Sequence, residues 1–126
     1  MTWKNPPTDF GLTVLKDADN LTKKITGEIL QKVVVASPVD TGAFRGNWRT
    51  NVNSVDTTTD TSSLDRSGQG SISRGISTIQ GQGGLGKLVY ISNSLPYSVR
   101  LNNGWSQQAP INFVELSLQS VVNKYR

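Results

Sequence analysis

The sequence predicts an α+β fold: a long N-terminal helix, a small, mostly antiparallel β-sheet, a short middle helix and a C-terminal helix. Three observations predict it. Apolar residues recur at Val14, Ala18, Leu21, Ile25, Ile29, Val33 and Ala36, at spacings of three and four, which is the stripe of an amphipathic helix. Two segments, Phe44 to Asn53 and Lys87 to Ser94, carry the β-branched and aromatic patterning of strands. A last segment places Val114, Leu118, Val121 and Tyr125 on one helical face. The length of 126 residues fits one domain, read as residues 9–126 behind an extended arm at 1–8.

The elements follow in order. MTWKNPP is proline-bearing and extended, and Thr8 or Asp9 reads as a helix N-cap. A helix from there to Ala36 is about 40 Å long at 1.5 Å per residue, with Gly27 as a weak point. Pro38 disfavours helical backbone at Ser37, so the helix stops there. Asp40, Thr41 and Gly42 supply turn chemistry. Beyond the turn, Phe44, Trp48, Thr50 and Val52 alternate with polar residues as one face of a strand, with a gap at Gly46, so SPVDTGAFRGNW reads as a helix-to-strand corner. Residues 54–68 are rich in Ser, Thr and Asp without apolar period, the pattern of a long surface loop. Ile72, Ile76 and Ile79 favour a short helix, against which Gly75 is the objection. GQGGLG at 81–86 is a hinge or turn. The continuous run Leu88 to Ile91 suits a strand buried on both faces. Pro96 turns the chain, Ser98 to Leu101 is a helical turn or a short strand, Gly104 breaks it, and Pro110 sits in the first turn of the last helix.

Composition narrows the chemistry. There are no cysteines and no histidines. This excludes a disulfide framework, a Ser-His-Asp triad and a Cys-His pair, and it argues against a zinc hydrolase. The nine acidic residues show no spacing that points to a catalytic pair. GQGGLGK has part of a phosphate-loop pattern, but Leu88 follows where Ser or Thr is needed, and a strand follows where a helix is needed. The expectation is therefore a protein that is not an enzyme and holds no cofactor or metal. Net charge is +4, with five basic residues and a single acidic one, Glu115, in residues 71–126. These basic residues form no runs, which disfavours specific nucleic-acid binding. No segment has the roughly 18 continuous apolar residues of a membrane span, and the polar N-terminus does not read as a signal peptide. Both lead us to expect a chain made in a cytoplasm and acting away from membranes.

Trp48 is most simply core. Trp3 on the arm and Trp105 beside Gly104 are harder to place in a core, and an interface anchor and a packed position both remain open for them. If Ser98 to Asn102 is helical, Tyr97, Leu101 and Trp105 share a face with Arg100 beside it.

The motifs resemble a known family. Pro38-Val39-Asp40-Thr41-Gly42 with Arg45 and Trp48, then Asn93, Leu95, Pro96, Tyr97, Arg100, Leu101, Gly104, Ser106, Gln108, Ala109 and Pro110, are similar in content and order to the neck or tail-completion (head–tail joining) proteins of tailed bacteriophages. The likeness runs from about Leu21 to Leu118. In one departure, relatives often place an acidic residue just before the loop glycine, where this chain has Asn102 and Asn103. The resemblance implies a subunit of a ring, often six-fold, at the junction of head and tail in the virion. Its partners would be copies of itself and other neck proteins, with DNA passing through the lumen without sequence-specific binding. The proposed interface residues are Trp3, Arg45, Arg49, Tyr97, Arg100, Leu101 and Trp105. Pro38, Asp40, Gly42, Pro96, Gly104 and Pro110 are turn formers. Two alternatives stand beside it: a tail-terminator protein that caps the tail tube, and a basic nucleic-acid-binding protein.

Overall fold

The computed structural model describes residues 7–39, 41–96, 98–103 and 112–125, with the backbone alone at 7–16, 99 and 100. The arm from 1 to 6, including Trp3, lies outside the described residues, as do Asp40, Tyr97, Gly104, Trp105 and Pro110. Helix α1 (Pro7–Ala36) is 30 residues long. Its described part runs from Pro7, so Thr8 and Asp9, expected from sequence as the cap, are already helical. After α1 come a one-turn helix α2 (Ala43–Gly46), strand β1 (Arg49–Val52), helix α3 (Gln69–Gln82), strand β2 (Val89–Ser92), a short helix α4 (Ser98–Asn102) and helix α5 (Phe113–Lys124). The two strands pair antiparallel, Thr50 opposite Ile91 and Val52 opposite Val89. This is an α+β fold in which α1 packs against both α3 and α5 and α3 packs against β1.

Being covered from two sides changes which face of α1 is buried. Leu30 and Val34, both off the expected stripe, are fully buried together with Val33. Ile25, Ile29 and Ala36 are half-buried, and Leu21 is exposed. A helix flanked by two neighbours needs a wider apolar face than one row supplies. Gly27 is buried, and a methyl there would come within 3.1 Å of the Ile76 side chain, so the glycine is where α3 approaches α1. Gly75 does the same from the other helix.

Two strand expectations are corrected. Phe44 to Gly46 is a helical turn, and only Arg49–Val52 is strand. The run at 88–91 is not buried on both faces: β2 is half-buried along its length, and Leu88 is exposed. A two-stranded sheet backed on one side cannot enclose a strand. On α5 the packed face is Phe113, Ser117 and Val121, while Leu118 is exposed. The small Ser117 lets α5 sit close to α1, and its Oγ donates to the Phe113 carbonyl at 2.7 Å, so no polar group is left unpaired in that contact. The aromatic centre joins α2 to α5. Phe44 meets Trp48 and Phe113 edge-to-face, at 5.8 Å and 6.1 Å between ring centroids.

The last turn of α5 is latched to α1. Tyr125 donates its hydroxyl to Glu28 Oε1 at 2.8 Å, and Lys124 Nζ lies 3.2 Å from the same carboxylate. The Tyr125 hydroxyl first, and Lys124 second, hold the Glu28 carboxyl below its ordinary pKa. A depressed carboxylate contributes stability that is present above its unfolded value, about 4.3, and is lost as pH falls through the folded value. Tyr125→Phe should therefore raise the Glu28 pKa in a side-chain NMR titration and shrink the acid-side loss of stability. An unchanged Glu28 titration would contradict the latch. Gly75 gives a second test. A methyl group there would collide with Leu30 and sit 2.6 Å from Thr50 Oγ1. Gly75→Ala should lower stability by about 1–3 kcal/mol in urea unfolding, as overpacking does, despite the better helix propensity of alanine.

Candidate functional site

The corner SPVDTGAFRGNW becomes a polar clasp. Ser37 ends α1 with its Oγ donating to the Val33 carbonyl at 2.7 Å and accepting the Trp48 indole N–H at 2.9 Å. The last carbonyls of a helix have no partner within it. Arg45 supplies one: its Nε and Nη2 donate to the Ser37 carbonyl at 3.0 and 2.9 Å, and Nη2 also reaches the Val35 carbonyl at 2.9 Å. A cation at a helix C-terminus also meets the negative end of the helix dipole. The remaining Nη1 donates to the Arg66 carbonyl at 2.9 Å and ties in the loop. Partial burial pulls the Arg45 pKa below its usual value, while Asp65 pushes it the other way. Gly42 makes the turn with φ of +95°. A side chain there would be strained and would lie 2.8 Å from the backbone nitrogens of Asp65 and Arg66.

Asn47, fully buried, organises the loop that sequence reads as featureless. Its amide donates to the Asp60 carbonyl at 2.8 Å and to the Ala43 carbonyl at 2.7 Å, and its Oδ1 accepts the Asp60 N–H at 2.7 Å. One side chain thus pairs with Asp60 as a strand neighbour would. Asp56 and Asp60 each accept the N–H and hydroxyl of the residue two ahead, which holds both carboxyls below their ordinary pKa. Asp65 then receives the start of α3. Its carboxylate accepts from Gly68 N at 3.1 Å and Ser71 N at 2.9 Å, as negative charge at a helix N-terminus should. Ser71 returns to the clasp by donating to the Arg45 carbonyl at 2.6 Å.

Of the residues expected at an interface, Arg45 commits its guanidinium to carbonyls of its own chain. Arg49 donates to Thr58 O, Gly46 O and Asn47 Oδ1 at 3.2 to 3.4 Å, again within the chain. Leu101 is half-buried on the edge of the core. Arg100 lies on α4, with only its backbone described. The Ser98 to Leu101 segment is helical, which decides the choice left open by sequence. Asn102 has a role the sequence reading missed. Its amide donates to both Glu115 oxygens at 3.1 and 3.0 Å, and its Oδ1 accepts Val114 N at 3.0 Å. An amide carries both a donor for the carboxylate and an acceptor for the helix N–H, where a carboxylate side chain has acceptors alone. An acidic residue at 102 would face Glu115 with like charge.

Beside α5 several apolar side chains gather on the surface. The packed face of that helix is flanked by apolar side chains left in water. Val114, Leu118 and Val122 run along one side, with Leu118 and Val122 exposed by 47% and 41%. Leu116 on the other side is 55% exposed and lies with Val35 of α1, 51% exposed, around a shallow recess. The first flank borders a groove of about 380 Å³ between α1, β2 and α5, lined by Ile29, Trp48, Val89, Ile91 and Leu118 among others. Among the described residues no group of His, Cys, Asp and Glu side chains could hold a metal ion. No helix among them is long and apolar enough to cross a membrane.

Comparison with family models, with curated proteins and with solved structures finds no match. The roles given to these residues rest on the geometry, which is open to test. Asn47→Ala would strand the Asp60 N–H and C=O. It should cost about 1–3 kcal/mol and make residues 54–68 the first site of cleavage in limited proteolysis. A variant as protease-resistant as the parent would refute the clasp.

Proposed function

We propose that this protein is a structural ring subunit of a tailed-phage neck, sited at the head–tail junction of the virion, where it completes the tail and joins it to the head connector. The observation that carries the assembly part is the apolar surface on both flanks of α5. Val35, Leu116, Leu118 and Val122 stand exposed on helices whose own contacts are already filled. Exposed apolar surface grouped on rigid elements marks a place where another protein sits. The likeness in SPVDTGAFRGNW and in the Asn93 to Pro110 segment supports the neck assignment.

Two separate flanks suit a head-to-tail contact, in which one surface of a copy meets a different surface of the next and the chain of copies closes into a ring. Other neck proteins would bind the faces of that ring, and DNA would pass through its lumen without base-specific contact. The clasp serves this role indirectly by holding the corner between α1 and β1 rigid.

Native mass spectrometry and negative-stain electron microscopy of the purified protein should show closed rings, six-fold if the resemblance holds. Val35→Asp combined with Leu116→Asp should shift the population toward monomer. Monomer stability should change by only about 0.5–1 kcal/mol, as exposed positions usually do. A strictly monomeric parent that binds DNA with steep salt dependence would replace this reading with the nucleic-acid one.

A further inference from the structure

We propose that the groove between α1, β2 and α5 receives Trp3 from the N-terminal arm of a neighbouring copy, so that each subunit of the ring is pinned by the arm of the next. This inference rests on the ring reading and names the contact that would close it.

The groove is built for an apolar side chain. Its volume of about 380 Å³ has room for one large side chain and adjoining backbone, not for a folded element. Thr22 and Thr26, which line it, already donate their hydroxyls to the Ala18 and Thr22 carbonyls at 2.9 and 2.8 Å. An indole entering there would strip water from no unpaired hydroxyl. Lys87, exposed at the same groove, offers a cation to an aromatic face.

Trp3 stands four residues before Pro7 on the N-terminal side of α1. Pro6 and Pro7 disfavour helical backbone at Asn5 and Pro6, so the arm cannot simply extend the helix back through Trp3. Reach then decides which copy it serves. Thr26 stands 19 residues beyond Pro7 on the same helix (26 − 7), or about 28 Å along its axis. The four residues from Trp3 to Pro7 span at most about 14 Å when fully extended. Trp3 therefore cannot lie in the middle of its own groove. It can lie in that of another copy, whose position is not tied to this helix.

The chain has no cysteine, so engineered pairs can be read without background. Lys4→Cys and Lys87→Cys are made in separate chains, mixed, and oxidised mildly. The expected product is a two-chain species, and the doubly substituted chain should give a ladder of linked copies. Adding Trp3→Ala to the Lys4→Cys chain should cut the yield at least tenfold. If rings persist in native mass spectrometry without any cross-link, the arm assignment falls and the ring stands. If neither rings nor cross-links form, both fall. A loop closed within a single chain at high dilution, or cross-linking that survives Trp3→Ala, would also overturn the proposal.

Discussion

The rest of the structure depends on how the C-terminus of α1 is closed. A 30-residue helix ends with carbonyls that nothing inside it can satisfy, and here they end in a partly buried corner. Arg45 meets two of them, and the Trp48 indole is bonded to the Ser37 hydroxyl beside them. Because Arg45 lies on α2 and also holds the Arg66 carbonyl, one guanidinium joins helix, turn and loop. Replacing it with lysine would keep the charge and lose the fork that reaches three carbonyls at once.

From that corner the fold spreads by close approach. Gly27 and Gly75 let α1, α3 and β1 come together, and Ser117 lets α5 lie against α1. Small residues at crossings bring backbones nearer and let Leu30, Ile79 and Phe113 fill the space between them completely. The consequence is a rigid body whose larger apolar residues are divided. Some are locked in the core, and others, on the flanks of α5, are left in water.

That division links structure to the proposed role. Two groups of residues stand apart. Pro38, Gly42, Arg45 and Trp48 shape the corner between α1 and β1. The apolar flanks and the groove are spread over α1, β2 and α5, and it is they that can meet another chain. Arg45 and Arg49 show why sequence signals of the two kinds are hard to separate. A basic residue beside a turn looks the same whether it reaches outward to a partner or inward to carbonyls.

Sequence alone determined the long first helix, the middle and last helices, a strand on either side of the middle one, the stop at Pro38, the turn at Gly42 and the α+β class, because periodicity, proline and glycine act locally; it did not give the helical turn at Ala43–Gly46. It also set the chemistry that a chain without histidine or cysteine cannot perform. Only the tertiary structure decided which side of each helix is buried. Leu30 and Val34 outrank Leu21 because two helices, not one, cover α1, and Ser117 outranks Leu118 because the crossing needs a small residue. Asn47 and Asn102 were illegible for the same reason. An asparagine in a polar stretch becomes a clamp or a cap only when Asp60 or Glu115, 13 residues away, is brought opposite its amide.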